Sequence, residues 1–385
     1  LAEHKIISSL MRPFFRRGRE SSFTVPGAIH EGSRILCIDS GDLSDLLGHV
    51  PLLSAIRRHF PQARLDFLLP EEHANLVVPS GLAQRCIIYR ESQLNPWRPA
   101  FGSLLRKLSR EHYDVALVMS FTAHPRLELA ALASGAGFRY GPSHADSWPA
   151  INFEIQGMDS AEGGYLGDRL QRAAPFLGFS RDEMHTRWPL PIDKMRQVAQ
   201  QVHFHKPNPD QMLIAVDPGV GKSGHRFALD NILFLVRQLT SQLSCTILPL
   251  GDVAEAAHLA ALEARLSGVP IGLRRETLLD TLLLLAQCDL YVGANTDLFH
   301  FAVAQGIPSI GIFSQSDGPQ WNPRGRPRAR VITVTKAEKV DIETLMEAVE
   351  AVTEGRTSKI STVMTASALE AAEGTKNNDG AAGED

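Results

Sequence analysis

Short apolar runs recur along the chain, bounded by Gly, Pro or acidic residues, and stretches with helical apolar spacing lie between them. Arg34–Ile38 (RILCI), Leu65–Leu69, Cys86–Tyr89, Val115–Met119 and a short Arg139–Gly141 read as strands. Leu46–Phe60, His73–Val77, Pro99–Glu111 and Arg126–Ser134 read as the helices between them. Residues 142–165 are loop-rich, Tyr165–Leu177 has helical spacing, and a further helix follows Pro191. The stretch His205–Gln211 (HKPNPDQ) is proline-rich and polar and reads as a linker. The alternation then restarts. Strands are expected at Met212–Val216, Thr246–Leu250, Ile271–Leu273, Leu290–Val292, Ser309–Phe313 and Val331–Thr333. Helices are expected at 229–243, 253–267, 278–287, 298–305 and Ile342–Val352. Strands alternating with helices give mostly parallel sheets covered on both faces, so the class is α/β with two Rossmann-like domains. Their expected limits are 34–205 and 206–354. Residues 1–33 form an arm, and 355–385, poor in large apolar residues, are expected to be disordered.

At 385 residues, two domains are the natural expectation, and 44% hydrophobic content is ample for two cores. A net charge of −4 argues against a general nucleic-acid binder. Cys37, Cys86, Cys245 and Cys288 are widely spaced and read as reduced cysteines of a cytoplasmic protein, not as a disulfide framework or a zinc site. No apolar run reaches the roughly 20 residues that span a bilayer, and no secretory signal is visible. Residues 5–19 (KIISSLMRPFFRRGR) mix large apolar side chains with five cations, Lys5, Arg12, Arg16, Arg17 and Arg19. Such a segment either lies on an anionic membrane surface or packs on the first domain with its arginines in solvent.

The stretch Asp289–Phe313 (DLYVGANTDLFHFAVAQGIPSIGIF) carries the clearest chemistry. A buried strand, a tight polar turn, a helix ended by Gly306 and a second buried strand make one βαβ unit with parallel strands. Ligands of such sheets sit outside the carboxyl ends of the strands. Asn295, Thr296 and Asp297 therefore fall at a helix N-terminus, where free N–H groups favour an anion such as a phosphate, and His300 lies one turn along. A second stretch, Met212–Asn231, carries Gly219, Gly221 and Gly224 in a loop whose N–H groups can approach a phosphate, with Lys222, His225 and Arg226 nearby. Its spacing is too short for a P-loop. In Leu248–Glu255, Asp252 and Glu255 either accept from ribose hydroxyls or serve as the acids of a helix start.

Asn295, Thr296, His300, Gly306 and Pro308 resemble the signature segment of glycosyltransferase family nine, the lipopolysaccharide heptosyltransferases. Asp297 stands where that family has Gly. Further resemblances run through Arg34–Leu53 (Asp45 and Pro51 on the family's acidic and proline positions, Ser44 for its Gly), Met212–Asn231 (Pro218 and Gly219 matching, Phe227 for its Trp, His225 at its Lys), Tyr113–Gly141 and Phe313–Gly325, together covering roughly residues 34–335. The resemblance implies a GT-B arrangement of two domains facing across a cleft, with no cofactor and no metal. It implies an inverting transfer of a heptose or related sugar from a nucleotide diphosphate sugar, ADP-heptose in this family, to a lipopolysaccharide core acceptor. Asp45 is then the base, with Asp42 as rival and helix capping as its plainer role. Gly219, Gly221, Lys222, His225, Arg226, Asp252, Glu255, Asn295, Thr296, Asp297 and His300 become donor-site residues, and His124 and Arg126 face the glycolipid acceptor. The expected location is cytoplasmic, peripheral on the inner membrane if residues 5–19 bind it. The departures at Ser44, His225 and Asp297 keep open a catalytically impaired member that acts by binding, and a GT-B sugar-nucleotide epimerase is the other alternative.

Overall fold

The structure is a computed structural model that describes residues 24–25, 27–145, 147, 150–155, 164–165, 168, 174–180, 184, 186–206, 208, 210–224, 226–251, 255–266, 276–335 and 340–353. The expectations for the arm at 5–19, the strand at 271–273, the tail from 355, His225 and Asp252 lie outside these residues. The chain divides into two compact units. The first runs to Pro191 and takes in Thr277–Leu279 and Gly318–Arg324; the second covers Ile192–Glu276, Asp280–Asp317 and the chain from Gly325.

The first unit runs β1 (Arg34–Asp39), α1 (Leu43–His59), β2 (Arg64–Pro70), α2 (Glu71–Val77), β3 (Arg85–Tyr89), α3 (Pro99–Ser109), β4 (Val115–Met119), α4 (Pro125–Ala133), β5 (Phe138–Pro142) and β6 (Phe153–Ile155). The sheet order is β3-β2-β1-β4-β5-β6, and every pairing is parallel. β1 pairs on both edges, Ile35 facing Leu65 on one side and Val115 on the other. That is why Ile35, Leu36, Cys37 and Ile38 have no polar break: both faces of the strand are covered. Leu36, Ile38, Leu68 and Val118 pack with Phe101, Leu105 and Leu108 of α3 and Leu127 of α4. β6 was not expected from the sequence. It has three residues with an exposed Glu154, too short for a period to register. Of the helix expected at 165–177, the structure describes Tyr165, Asp168 and Ala174–Leu177, the last a single tight turn.

The second unit holds α5 (Ile192–His205), β7 (Met212–Asp217), α6 (Leu229–Gln242), β8 (Cys245–Pro249), α7 (Ala256–Glu263), α8 (Leu278–Leu285), β9 (Leu290–Gly293), α9 (Asp297–Gln305), β10 (Ser309–Ser314), β11 (Ala329–Val334) and α10 (Ile342–Thr353). Its sheet order is β11-β10-β9-β7-β8, again all parallel. Residues of α6 and α10, among them Ile232, Val236, Leu345 and Val349, close one core with Ile214, Val292 and Ile310. α5 was expected before the boundary, which the proline-rich linker suggested. It groups instead with the second unit, because it buries Val202 and its Met195 sulfur accepts from Gln287 Nε2 at 3.5 Å. α9 ends as expected, with Gly306 left-handed at φ 73°.

Both sheets are doubly wound. In the first, chain order reverses between β1 and β4; in the second, between β7 and β9. A crevice opens at the carboxyl ends of the strands at such a point, and ligands of open α/β sheets bind there.

Candidate active site

In the first unit, the loop after β1 and the loop after β4 meet at the switch point. Asp42 is the N-cap of α1: its carboxylate accepts from the N–H groups of Ser44 and Asp45. Capping is thus done by Asp42, and Asp45, the third residue of the helix, is left with a different environment. Asp45 is 8% exposed. Its Oδ2 accepts from Ser40 Oγ at 2.8 Å and its Oδ1 from the Phe121 N–H at 3.2 Å. Burial, reinforced by the charge of Asp42, lifts its pKa from 3.8 to about 7. Gly48 lets this junction close, since a Cβ there would come within 2.3 Å of the Phe121 ring. His49 stacks on the same ring at 5.2 Å and meets the Asp45 carbonyl through Nδ1 at 2.6 Å; burial drives its pKa down to about 4.

His124 and Arg126 follow on the loop after β4 and the start of α4. The His124 N–H donates to Glu128 Oε1 at 3.0 Å, and burial lowers the pKa of its half-buried ring. Arg126 is paired with Glu91 at 3.4 Å. Glu128, buried, also holds the His144 ring at 2.8 and 2.9 Å. Neither Glu128 nor His144 stands out in the sequence; a carboxylate within the apolar run LELAALA was the available sign.

In the second unit, the glycine loop after β7 and the turn after β9 are tied together. The Lys222 N–H donates to the Asn295 carbonyl at 2.8 Å, and the Gly224 N–H to the Gly221 carbonyl at 2.8 Å. These two N–H groups are therefore already engaged, the first by the turn after β9 and the second within the loop. Gly219 is required by packing: a Cβ would meet Asp217 Oδ1 at 2.8 Å and Thr296 Cγ2 at 3.2 Å. Thr296 is the N-cap of α9, its hydroxyl accepting from the Phe299 N–H. His300 Nε2 meets Asn295 Oδ1 at 2.9 Å, and Asn295 Nδ2 donates to Asp317 Oδ1 at 2.7 Å. Asp297 pairs with Lys222 Nζ at 2.6 Å. Arg226 pairs with Glu255 through two contacts of 2.6 and 2.9 Å.

Lys222, Asn295, Thr296, Asp297 and His300 thus form one cluster, and Arg226 and Glu255 a pair. Sequence reasoning missed Asp217 and Tyr291, which sit beneath Thr296. Asp217 Oδ2 accepts from the Tyr291 hydroxyl at 2.8 Å and the Thr296 hydroxyl at 2.5 Å. The sign was a carboxylate ending the buried run MLIAV, directly before Pro218. Among the described residues, no group of three His, Cys, Asp or Glu side chains is placed to hold a metal ion, and no helix is long and apolar enough to cross a membrane. None of the four cysteines forms a disulfide.

Two all-parallel, doubly wound α/β units of this kind are those of a GT-B protein. The chain belongs to glycosyltransferase family 9 (heptosyltransferase), whose family model matches residues 101–349. That match does not extend to Asp45. A comparison with curated proteins gave no match. Among solved structures, the chain is similar to the family 9 glycosyl transferase of Veillonella parvula, at 15% identity and TM-score 0.66, over 85% of this chain and 99% of that one. It is also similar to E. coli ADP-heptose lps heptosyltransferase II (17%, TM-score 0.61, covering 83% and 98%) and to E. coli heptosyltransferase WaaC with ADP (16%, TM-score 0.62, covering 82% and 99%).

Proposed function

We propose that the protein is an inverting, metal-independent glycosyltransferase that moves a heptose or related sugar from an ADP-linked donor to a lipopolysaccharide core acceptor. The observation that carries this reading is the placement of Asp45. It is a buried carboxylate at the switch point of the first sheet, held by two donors, with a pKa of about 7. A general base works best when its pKa lies near the operating pH. Asp45 takes the proton of the acceptor hydroxyl as that oxygen attacks the anomeric carbon. The bond from that carbon to the diphosphate oxygen breaks, and the electron pair leaves with the nucleotide. The N–H groups opening α9, with Lys222 beside them, are suited to the charge that develops there. Family membership and the ADP named for the WaaC structure support the choice of donor.

A second reading, a family member that binds the donor without turning it over, is favoured by the ion pairs Lys222–Asp297 and Arg226–Glu255, which engage two cations expected at the donor. Release of ADP from ADP-heptose, measured with and without lipopolysaccharide core acceptor, separates the two. Acceptor-dependent release supports transfer; binding without release supports the second reading. Asp45→Ala is expected to cut turnover about 10²–10⁴-fold with donor affinity nearly unchanged. Asp42→Ala, which removes a helix cap, is expected to cost about 1 kcal/mol of stability and little rate. A dead Asp42→Ala beside an active Asp45→Ala reverses the assignment.

A further inference from the structure

Asp217 ends β7 and is 4% exposed, yet its carboxylate is surrounded by donors. Oδ1 accepts from the Gly219 N–H at 2.8 Å. Oδ2 accepts from Tyr291 Oη at 2.8 Å and from Thr296 Oγ1 at 2.5 Å. The two hydroxyl oxygens are themselves 3.0 Å apart. Three oxygens thus make three mutual contacts, but the two hydroxyls bring a single proton each. With Asp217 ionised, one contact of the ring lacks a proton. With Asp217 protonated, each oxygen donates to the next and the ring is complete. Thr296 keeps its lone pair for the Phe299 N–H in either state, so the cap of α9 is held throughout.

We infer that Asp217 is a positioning residue of the donor site, and that its protonation state sets how strongly the N-terminus of α9 holds a diphosphate. This rests on the proposal that the donor diphosphate sits there. Ionised, Asp217 places a negative charge directly behind the cap, in a buried setting where water screens it little. Protonated, it offers the same oxygens without the charge. Its pKa is raised to about 6, by burial first, with the charge of Glu255 adding to it and the hydrogen bonds from Thr296, Tyr291 and Gly219 opposing it. The transition therefore falls close to neutrality. Among the described residues, the other titratable or charged groups of this corner are Glu255 with Arg226, Asp297 with Lys222, Asp317 beside Asn295, and His300 on α9.

ADP-ribose is a suitable probe, because its diphosphate is esterified at both ends and carries the same charge from pH 5 to 8. Titration calorimetry is expected to show tighter binding to the intact protein as pH falls from 7.5 to 5, by about tenfold if the two sites couple by about one pKa unit. Asp217→Asn, the neutral isostere, is expected to bind more tightly at pH 7.5 by a similar factor and to lose most of that pH dependence. Tyr291→Phe removes a donor that favours the ionised form, so the midpoint of the pH dependence is expected to move up. A structural tie alone does not predict that shift, and this variant carries the test if Asp217→Asn does not fold. Affinity and pH dependence unchanged in Asp217→Asn overturn the inference, as does an unmoved midpoint in Tyr291→Phe. Absence of ADP-ribose binding to the unmodified protein at every pH overturns the donor-site reading itself.

Discussion

Replacing Asp45 with Asn is expected to stabilise the first unit while removing the proposed base. An ordinary aspartate titrates at 3.8, and burial lifts Asp45 to about 7. A folded pKa above the unfolded one means that the folded protein holds the proton more tightly. The contribution of this group to stability is therefore fully present below 3.8 and is lost as pH rises through 7. One pKa unit is worth about 1.4 kcal/mol, so the shift of roughly three units costs the folded state on the order of 4 kcal/mol at pH 8 and about 2 kcal/mol at pH 5. Asn removes the charge. Its oxygen can still accept from the Phe121 N–H, and its amide can donate to Ser40 Oγ, whose hydroxyl turns to accept. The hydrogen-bond count is kept, so most of the electrostatic cost is recovered. Calorimetric melting of both proteins at pH 8 and pH 5 provides the assay. The variant is expected to melt higher at pH 8 and to lose about half of its advantage at pH 5. An Asn variant less stable at pH 8, or an advantage that does not shrink with acid, would falsify the account of Asp45 as a buried, destabilising carboxylate.

Ser40→Ala removes a donor to Asp45 and is expected to raise the base's pKa, moving the acid limb of the pH–rate profile upward; an unmoved limb means that Ser40 does not tune it. Asp297→Gly releases Lys222 from its 2.6 Å ion pair, so calorimetry is expected to show ADP binding tightened by about tenfold at low ionic strength and by less at high salt. Equal or weaker binding in that variant makes Asp297 a contributor to the site.

The alternation of strands and helices was legible because parallel strands covered on both faces leave unbroken apolar runs. Ile35–Ile38 and Ser309–Phe313 are cases in point, and the structure adds one residue, Asp39 and Ser314, to the carboxyl end of each strand. β6 escaped because a short edge strand with Glu154 on its open side has no such run. The sequence also located the turn Asn295–Asp297 at a helix start, since a Gly-bounded strand before it and Gly306 after it fix both ends. Pairings between segments distant in the chain were another matter. The pairing of Lys222 with Asp297 and of Arg226 with Glu255 follows only once β7, β8 and β9 lie side by side. Asp217 passed unnoticed for the same reason: its partners Tyr291 and Thr296 come from the neighbouring strand β9 and the turn after it.

The internal ion pairs change how the second unit can hold an anion. A free lysine and a free arginine would make donor capture an attraction between whole charges. Here Lys222 meets Asp297 and Arg226 meets Glu255, so a diphosphate exchanges one anionic partner for another and gains only the difference. What remains is the start of α9, whose first-turn N–H groups have no intrahelical acceptors and whose positive dipole is set against the carboxylates of Asp297 in its first turn and Asp217 behind its cap. The buried ring of Asp217, Tyr291 and Thr296 stands directly behind that start and keeps its cap in place. Oriented N–H groups act over a short range, whereas whole charges attract at a distance and are screened by salt. The donor site proposed at the switch point of the second sheet would, built this way, rely on close contact with the phosphates more than on long-range attraction, in keeping with a protein whose net charge is −4.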